Sequence, residues 1–577
     1  MAHRALPEHR RLSGATAFLA LLLSAGPAGG ASPTGAYRHW PEYAAHPSAR
    51  PQLWRETEDV IDGWDFSLPP HVRPSSGAMI RWGMNGWKGA LAKARFPEGM
   101  TVVDEIWWPW KYLEPREGEY DFARLREEVR QRLDAGCHGV LIRLLVSVWT
   151  KGTNADASKA KEPQFKTWSA PRWLAKHDIP KVKFSQKDGS GLVTCLDMSH
   201  PAFQAAYLRM VGAFGASGLP GDPALRGVLI CGGSRSNGEE GTGYTAGDAE
   251  GRRRYEQRIE AWAKAFGRHR GKLITMDADE FPRKLALGSR DGFVEMYLIH
   301  MHSPVRGTFV DADRYLCVDE SNPYLSGLAV FGDENEEYRP SWTERFGPLE
   351  SFPYRYFTSM LRMLQMRRNY LYTETQAVYP ELLWYVCHGL GRNVADAPDA
   401  WCWLRESYLS RWANGGNAGP AKNLERWLHQ RDRPGFQTQP AVRVPHALKK
   451  WWLADPQKPY DHVARRGRRI GFAVDDRFLK GGPHRACIKV TYLDTGTGRW
   501  ALVAAGAGGE ARREVACGDT GKLRTATFFL DDALFPASGM EFDFHVEAPE
   551  EATVSFVRVI RLGRGEPERP ASPATRR

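Results

Sequence analysis

The segment Gly327-Leu-Ala-Val-Phe-Gly-Asp-Glu-Asn-Glu-Glu-Tyr338 is a short apolar run that ends in four carboxylates: Asp333, Glu334, Glu336 and Glu337. Such a run is typical of a buried strand. Similar runs, most of them followed by a helical pattern, occur at 78–84, 101–108, 138–146, 226–233, 272–279, 292–300 and 369–376. Eight such strands, most with a helix following, predict an α/β fold, a (β/α)8 TIM barrel over residues 76–440.

The regions on either side of the predicted barrel have a different character. Residues 441–563 contain short alternating strands separated by Gly, Asp and Pro, which predicts a C-terminal antiparallel β-sandwich. Residues 32–75 are rich in Pro, His and Trp and are expected to form a leader that packs on the barrel. Residues 564–577 are rich in Pro and Arg and are expected to be a disordered tail.

The first 31 residues have the pattern of a secretory signal peptide. Three arginines precede the apolar run 15–23, and small residues follow it before Ser32. No later stretch approaches the roughly 20 consecutive apolar residues that a membrane helix needs. We therefore expect a periplasmic or secreted protein without stable membrane insertion.

The composition restricts the classes of partner. The 577-residue chain carries a net charge of +11, which favours anionic partners, but the charge forms no basic block. An anionic polysaccharide is therefore preferred to nucleic acid. The glycine-rich segment 232–241 lacks the Lys-Ser/Thr ending of a phosphate loop, so no nucleotide or other cofactor is predicted. The eight cysteines are scattered, and Cys487 with Cys517 is the best candidate for a disulfide.

Carboxylates at the ends of two strands suggest the chemistry. In such barrels the reacting groups lie at the carboxyl ends of the strands. The fourth strand runs into Glu239 and Glu240, and the seventh runs into Glu334. Strands four and seven face each other, so two carboxyl groups can flank one glycosidic bond. We expect Glu239, or else Glu240, to be the general acid/base and Glu334 to be the nucleophile.

Two further motifs carry a resemblance to a known family. "WWPWKYLEPREGEYDFARL" (107–125) and "SAPRWLAKHDIP" (169–180), with the two acidic strand ends, resemble the clan A glycoside hydrolases in the style of the family 42 β-galactosidases. The resemblance implies a retaining glycosidase with two catalytic glutamates. That family places Asn directly before its acid, whereas here Gly238 precedes Glu239. Asn237 is expected to hold the sugar hydroxyl from a shifted turn.

Other side chains are candidates for substrate binding. Tryptophans near strand ends or in the segment above the mouth can stack on sugar rings: Trp110, Trp149 and Trp173. Arg143 lies inside an apolar strand and must find a partner if it is buried, either the nucleophile or a structural acid such as Asp104. Glu336 and Glu374 are expected to bind sugar hydroxyls, and Glu374 is also a competing candidate for the nucleophile.

A histidine pair leaves a metal-dependent alternative open. His300 and His302 follow the sixth predicted strand, with Asp277 and Asp279 at the end of the fifth. A His-x-His pair without a clear third ligand is a weak metal signal. We therefore expect no metal site and expect His300 to bind substrate. A second alternative is a barrel that binds polysaccharide without cleaving it, since the Asn-Glu pair is missing.

Overall fold

The computed structural model describes most of the chain after the predicted leader. The described residues are 63–82, 96–150, 168–185, 192–230, 248–276, 280–291, 307–322, 325, 327, 329–334, 352–373, 380–409, 419–445, 460–536 and 542–563. The predicted signal peptide, most of the leader and the predicted tail lie outside these ranges. No helix among the described residues is long and apolar enough to cross a membrane.

The first half of the chain alternates strands and helices. The strands are β1 (Met79–Trp82), β2 (Thr101–Pro109), β3 (Gly139–Leu145), β4 (Val148–Thr150), β5 (Lys181–Ser185), β6 (Leu192–Leu196), β7 (Leu225–Leu229), β8 (Leu273–Met276), β9 (Gly288–Asp291), β10 (Thr308–Val310), β11 (Leu316–Val318), β12 (Phe331–Glu334) and β13 (Tyr370–Thr373). The helices are α1 (Trp110–Leu113), α2 (Phe122–Asp134), α3 (Pro201–Ala216), α4 (Ala249–Phe266), α5 (Glu280–Lys284), α6 (Phe352–Gln365) and α7 (Pro380–Gly389).

Eight of these strands form a closed barrel. Its order is β1-β13-β12-β9-β8-β7-β3-β2, every neighbouring pair is parallel, and β2 returns to β1. The predicted barrel architecture is confirmed. β4, β6 and β5 form a small antiparallel sheet after the third barrel strand, and β10 pairs with β11.

The helices begin and end where local sequence signals are strong. The Asp121 side chain accepts from the backbone N–H of Arg124 at 3.0 Å at the start of α2. Asp248 caps α4 in the same way through Gly251, at 2.9 Å. These contacts satisfy backbone donors that have no partner in the first turn. The helical patterns that follow predicted strands in the sequence, at 121–136, 201–218, 250–269 and 352–368, each correspond to a helix of the structure.

Seven of the eight predicted runs contain a barrel strand, and the sixth strand differs. β9 lies at Gly288–Asp291, before the predicted run 292–300, which is outside the described residues. The strand has the sequence GSRD and shows no apolar run. Ser289 and Arg290 are polar residues, although both are buried. A side chain at Gly288 would place its Cβ 2.5 Å from the Val330 carbonyl oxygen, so the close approach of β12 requires glycine there.

The C-terminal half is antiparallel, as predicted. Its strands are β14 (Asp399–Leu409), β15 (Gly419–Arg426), β16 (Leu428–Gln430), β17 (Gln439–Pro445), β18 (Tyr460–Val474), β19 (Gly481–Asp494), β20 (Arg499–Gly506), β21 (Gly509–Ala516), β22 (Lys522–Phe535) and β23 (Phe544–Arg561). Hydrogen bonds link all ten into one network. The network starts at Asp399, before the predicted boundary at residue 441, because β14 pairs with β23. A division into two packed layers stays a prediction.

The described end of the leader packs between the barrel and this sheet. The Trp64 ring stacks on Phe556 of β23 with centroids 4.5 Å apart, and it meets Trp403 of β14 edge-on at 4.8 Å. The same ring contacts Phe357 of α6 at 5.7 Å. One aromatic cluster therefore joins the leader, a barrel helix and the C-terminal sheet.

Cys487 and Cys517 are free thiols, so the predicted pairing between them is wrong. Cys487 is buried in the middle of β19, while Cys517 follows the last residue of β21. Burial raises the pKa of the Cys487 thiol to about 11, which keeps it protonated and unreactive at neutral pH.

Candidate functional site

A carboxylate buried in the barrel wall lies between two arginines. Glu105, in the middle of β2, accepts from the Arg143 Nε at 2.5 Å and forms an ion pair with the guanidinium of Arg81. The Glu105 side chain is completely buried, and the two arginine side chains are almost completely buried. Three adjacent strands, β1, β2 and β3, therefore share one buried charge network.

Aromatic rings extend this network on both sides. The Arg81 guanidinium lies over the Tyr372 ring of β13 at 4.1 Å, and the Arg143 guanidinium lies over the Trp107 ring at 4.5 Å. We name the set Arg81, Glu105, Trp107, Arg143 and Tyr372 the barrel arginine cluster. It spans four consecutive strands of the barrel.

The charges around Glu105 control its protonation. Burial acts to raise the pKa of this carboxyl, but Arg143, Arg81 and Arg290 together hold it below its usual range. Arg290 belongs to β9 and is itself buried. Glu105 is therefore ionised at neutral pH. Among the described residues, three guanidinium groups thus stabilise the ionised form of one buried carboxylate.

The proposed nucleophile lies next to the cluster in the backbone register. Glu334 is the last residue of β12 and pairs with Tyr372 of β13, which in turn pairs with Arg81 of β1. Residues two apart on a strand share a face, so position 334 is on the same face as Gly332. The carboxyl end of β12 is therefore in register with Tyr372 and Arg81 of the arginine cluster.

The partner of Arg143 is Glu105 and not Asp104. Adjacent strand residues point to opposite sides, and Asp104 faces helix α2, where Arg132 Nε lies 3.0 Å from its carboxylate. Burial raises the pKa of Asp104 to about 6 despite this contact. Arg143 was expected to pair with the nucleophile or with a structural acid such as Asp104; the structural acid that the structure shows is Glu105, and a contact with the nucleophile stays a prediction.

Trp110 and Trp173 do not have the same environment. Trp110 is 0% exposed. Its indole N–H donates to Glu114 at 2.7 Å, and its ring packs edge-on against Phe203 at 5.6 Å. It cannot offer a face to a sugar, so the expectation of a platform there is wrong. Trp173 is partly exposed and donates to the Glu114 carbonyl at 3.2 Å.

Trp149 is also a poor sugar platform. It lies in β4, just beyond the end of β3, and only 8% of it is exposed. The Arg172 guanidinium lies over its ring at 4.6 Å and the Lys181 ammonium at 5.6 Å. The ring therefore holds cations beside the barrel mouth.

Several predicted site residues lie outside the described residues, and their roles stay predictions. They are Asn237, Glu239, Glu240, His300, His302, Glu336 and Glu374. The same holds for Asp277 and Asp279 of the metal alternative. Within the described ranges, no group of three His, Cys, Asp or Glu side chains could hold a metal ion.

Four residues of the site were not predicted from the sequence: Arg81, Glu105, Arg290 and Tyr372. The alternation of side chains along β2 offered one signal for Glu105. Val103, Glu105 and Trp107 share one face of the strand, and Val103 belongs to the barrel interior. Arg81 and Arg290 gave a second signal, because each is a single basic residue inside a short strand.

The comparisons with known proteins give only distant likenesses. No protein-family model matches the chain, and no curated protein matches it. Among solved structures, endo-glycoceramidase II from Rhodococcus sp. is similar at 10% identity with a TM-score of 0.31, over 86% of this chain and 100% of that chain. An exo-β-1,4-mannosidase from Opitutaceae bacterium strain TAV5 is similar at 12% identity with a TM-score of 0.25, over 55% and 57%. The catalytic domain of β-amylase from Paenibacillus polymyxa is similar at 7% identity with a TM-score of 0.27, over 55% and 94%. TM-scores this low do not establish a relationship.

Proposed function

We propose that this protein is a glycoside hydrolase that cleaves O-glycosidic bonds of a poly- or oligosaccharide by a retaining mechanism. Glu334 is the nucleophile and Glu239 is the general acid/base. The observation that carries the proposal is the register of β12, whose final residue, Glu334, is paired with Tyr372 beside the buried Arg81.

The charge in the barrel suits these roles. A nucleophile must be ionised to attack the anomeric carbon, and neighbouring positive charge lowers the pKa of a carboxyl. The arginines already have this effect on Glu105. Glu105 itself is too deeply buried to contact a substrate, since its side chain has no exposed surface. It is therefore a positioning residue that fixes Arg81 and Arg143.

β7, the strand that precedes the segment with Glu239, lies three strands away from β12 in the order of the barrel. β7 is the fourth strand around the barrel in chain order and ends at Leu229, shortly before the segment that contains Glu239. An acid must keep its proton until the bond breaks, so it needs a raised pKa. Adjacent Glu240 can raise the pKa of Glu239 by repulsion.

Two isosteric variants test the proposal. Glu239→Gln and Glu334→Gln should each lower turnover of a cleaved glycan by about 10²–10⁴-fold, while their thermal unfolding stays that of the wild type. The control is Glu514→Gln, which removes an exposed carboxylate that lies 3.2 Å from Arg499 in the C-terminal sheet. NMR of the first product should show the substrate's anomeric configuration. Unchanged turnover in both variants would refute the assignment.

The alternative function is polysaccharide binding without cleavage. The departure that favours it is Gly238, which stands where the resembling family has the Asn that precedes its acid. Wild-type protein that binds a glycan but releases no reducing ends, under conditions in which a known glycosidase does, would support this alternative.

We also propose export and a layered C-terminal region. The basic residues and apolar run of the first 31 residues support export, and N-terminal sequencing of protein secreted by its host should begin near Ser32. Intact Met1 would contradict this. For the C-terminal region, buried Phe472, Ile488 and Leu502 from three strands share one apolar cluster, which supports two layers around a core. An experimental structure with an open single layer would contradict it.

A further inference from the structure

Cationic and aromatic side chains alternate in a continuous series beside the barrel. We name this series the cation–aromatic ladder; in order of contact it comprises Lys181, Trp149, Arg172, Trp168, Lys111, Tyr112, Arg124 and Trp108. Successive members lie 3.8–5.7 Å apart, measured from the cationic atom to the ring centroid. Cations over ring faces at such distances are attracted by the ring electrons.

The ladder lies at the carboxyl ends of the second and third barrel strands. Trp108 is the penultimate residue of β2, and Lys111 and Tyr112 follow directly in α1. Arg124 is in the first turn of α2, and Trp149 is in β4, just after β3. Since the carboxyl ends of the strands form the catalytic face of such barrels, the ladder occupies the rim of the proposed site.

Three ladder cations are exposed and are held by rings rather than by acids. Arg124, Arg172 and Lys181 are exposed. Within the described part of the chain, no carboxylate forms an ion pair with any of them. Nearby cations outside the ladder behave differently, since Arg209 lies 2.9 Å from Glu117. The positive charge of the ladder is therefore available to a ligand.

The aromatic rings of the ladder already have cations over their faces. Trp149, Trp168 and Tyr112 each contact two cations of the ladder. Sugars of a neutral glycan, or the bases of a single-stranded nucleic acid, are held on aromatic platforms by stacking on ring faces. The ladder instead presents a row of fixed positive charges. It fits a chain molecule that carries an acid group at short intervals.

We propose that the ladder binds the carboxylate or sulfate groups of an acidic polysaccharide and leads that strand into the barrel mouth. The proposal rests on the proposed function for the identity of the strand as substrate, whereas binding to the ladder is measurable without turnover. The net charge of +11 favours the approach of such a polyanion at low salt.

The test compares two doubly substituted full-length proteins that lose the same charge. Arg172→Gln/Lys181→Gln alters the ladder, and Arg513→Gln/Lys522→Gln alters two exposed cations of the C-terminal sheet. Titration calorimetry with polygalacturonate, dextran sulfate, neutral dextran and single-stranded DNA gives each affinity, at low and high ionic strength. All proteins also carry Glu334→Gln, so that no ligand is consumed.

The ladder variant should bind the acidic polysaccharides about three- to tenfold more weakly than the matched control at low salt, with the difference shrinking at high salt. Preference for polygalacturonate or for dextran sulfate identifies carboxylate or sulfate as the acid group. Equal affinity in the two variants, or equal affinity for neutral dextran, would overturn the proposal. So would a larger loss for single-stranded DNA than for either polysaccharide.

The experiments distinguish a failure of the ladder proposal from a failure of the proposed glycosidase function. If proteins with intact Glu334 cleave a neutral glycan and the ladder variant binds polyanions as the control does, the ladder proposal is wrong and the enzyme remains. If the ladder variant loses polyanion binding but no glycan is cleaved by the wild type, the ladder stands and the proposed hydrolysis is wrong.

Discussion

Replacing the buried carboxylate of the arginine cluster should be strongly destabilising. Glu105→Gln keeps the shape of the side chain but removes the negative charge between Arg81 and Arg143. The arginine side chains are only 2% and 5% exposed, so water cannot take over the role of the carboxylate. The variant removes a buried carboxylate that is paired with both guanidinium groups.

The magnitude follows from the two ion pairs. At an effective dielectric constant of about 20, each pair at about 4 Å is worth roughly 4 kcal/mol before desolvation is subtracted. Burial of each ion offsets several kcal/mol of this attraction, and removing one partner of a buried pair typically costs about 3–5 kcal/mol. We expect Glu105→Gln to lower the free energy of unfolding by that amount at pH 7.

The pH dependence gives the prediction a second, independent test. The arginines hold the pKa of Glu105 below its ordinary value of 4.5. A lowered pKa in the folded state means that the ion pairs stabilise the protein fully above pH 4.5, and that this contribution is lost as the pH falls through the folded pKa. The difference in stability between wild type and variant should therefore be constant from pH 7 to about 5 and shrink below pH 4.5.

Urea unfolding monitored by tryptophan fluorescence measures the difference, and hydrogen exchange of peptides from β1 to β3 locates it. Glu514→Gln is the control, because its partner Arg499 is exposed and such pairs are worth at most about 1 kcal/mol. A loss below about 1 kcal/mol in Glu105→Gln, or a difference that does not change between pH 5 and pH 3, would refute the reasoning.

Three further substitutions test neighbouring parts of the structure. Burial raises the pKa of Asp104 from 3.8 to about 6, so wild type should lose stability relative to Asp104→Asn by up to about 3 kcal/mol as the pH rises from 4 to 7, measured by urea unfolding. Trp64→Ala should lower the free energy of unfolding by about 3–5 kcal/mol because it removes the central ring of the aromatic cluster between barrel and sheet. Trp384 is 43% exposed, so Trp384→Ala should change the free energy of unfolding by less than about 0.5 kcal/mol in the same assay. Gly332→Ala should cost about 1–3 kcal/mol and lower turnover, since its Cβ would lie 2.4 Å from the Tyr370 carbonyl oxygen; thermal melts and initial rates measure both.

Each of these has a result that contradicts it. A stability difference between wild type and Asp104→Asn that is independent of pH would mean that Asp104 titrates near its ordinary value. Equal effects of the two tryptophan substitutions would mean that Trp64 does not join the two halves. A Gly332→Ala protein with wild-type stability would mean that β12 and β13 are further apart than described.

Much of the fold could be predicted because periodicity and helix caps are local. Runs such as 138–146 are apolar apart from His138 and Arg143, and Asp121 and Asp248 cap the starts of α2 and α4. β9 was missed because a barrel interior can accept a buried Arg290, and a strand of sequence GSRD carries no apolar signal. The early start of the C-terminal sheet at Asp399 was missed because it depends on pairing with a strand far away in the chain.

The site was harder to predict because it depends on which face of each strand turns inward. A lone Arg143 in an apolar strand indicated a buried partner, but the choice between Asp104 and Glu105 required the closed barrel. The prediction that Trp110 is a sugar platform was wrong for a related reason. The chain turns into α1 directly after β2, and this turn places the ring under Phe203 of α3 instead of at the mouth.

Under the proposed mechanism, the arginine cluster also bears on which glutamate attacks and which one donates the proton. The backbone of Glu334 is paired with Tyr372, which is paired with Arg81, and we propose that its carboxyl is kept ionised by the guanidinium groups of the cluster. In the sequence, the proposed acid Glu239 comes after β7 and directly precedes a second carboxyl, Glu240, whose repulsion would favour a retained proton. In the proposed mechanism the two roles are therefore not interchangeable. If the acid were Glu334, the arginine cluster would oppose its function, because every arginine near it would stabilise the deprotonated form.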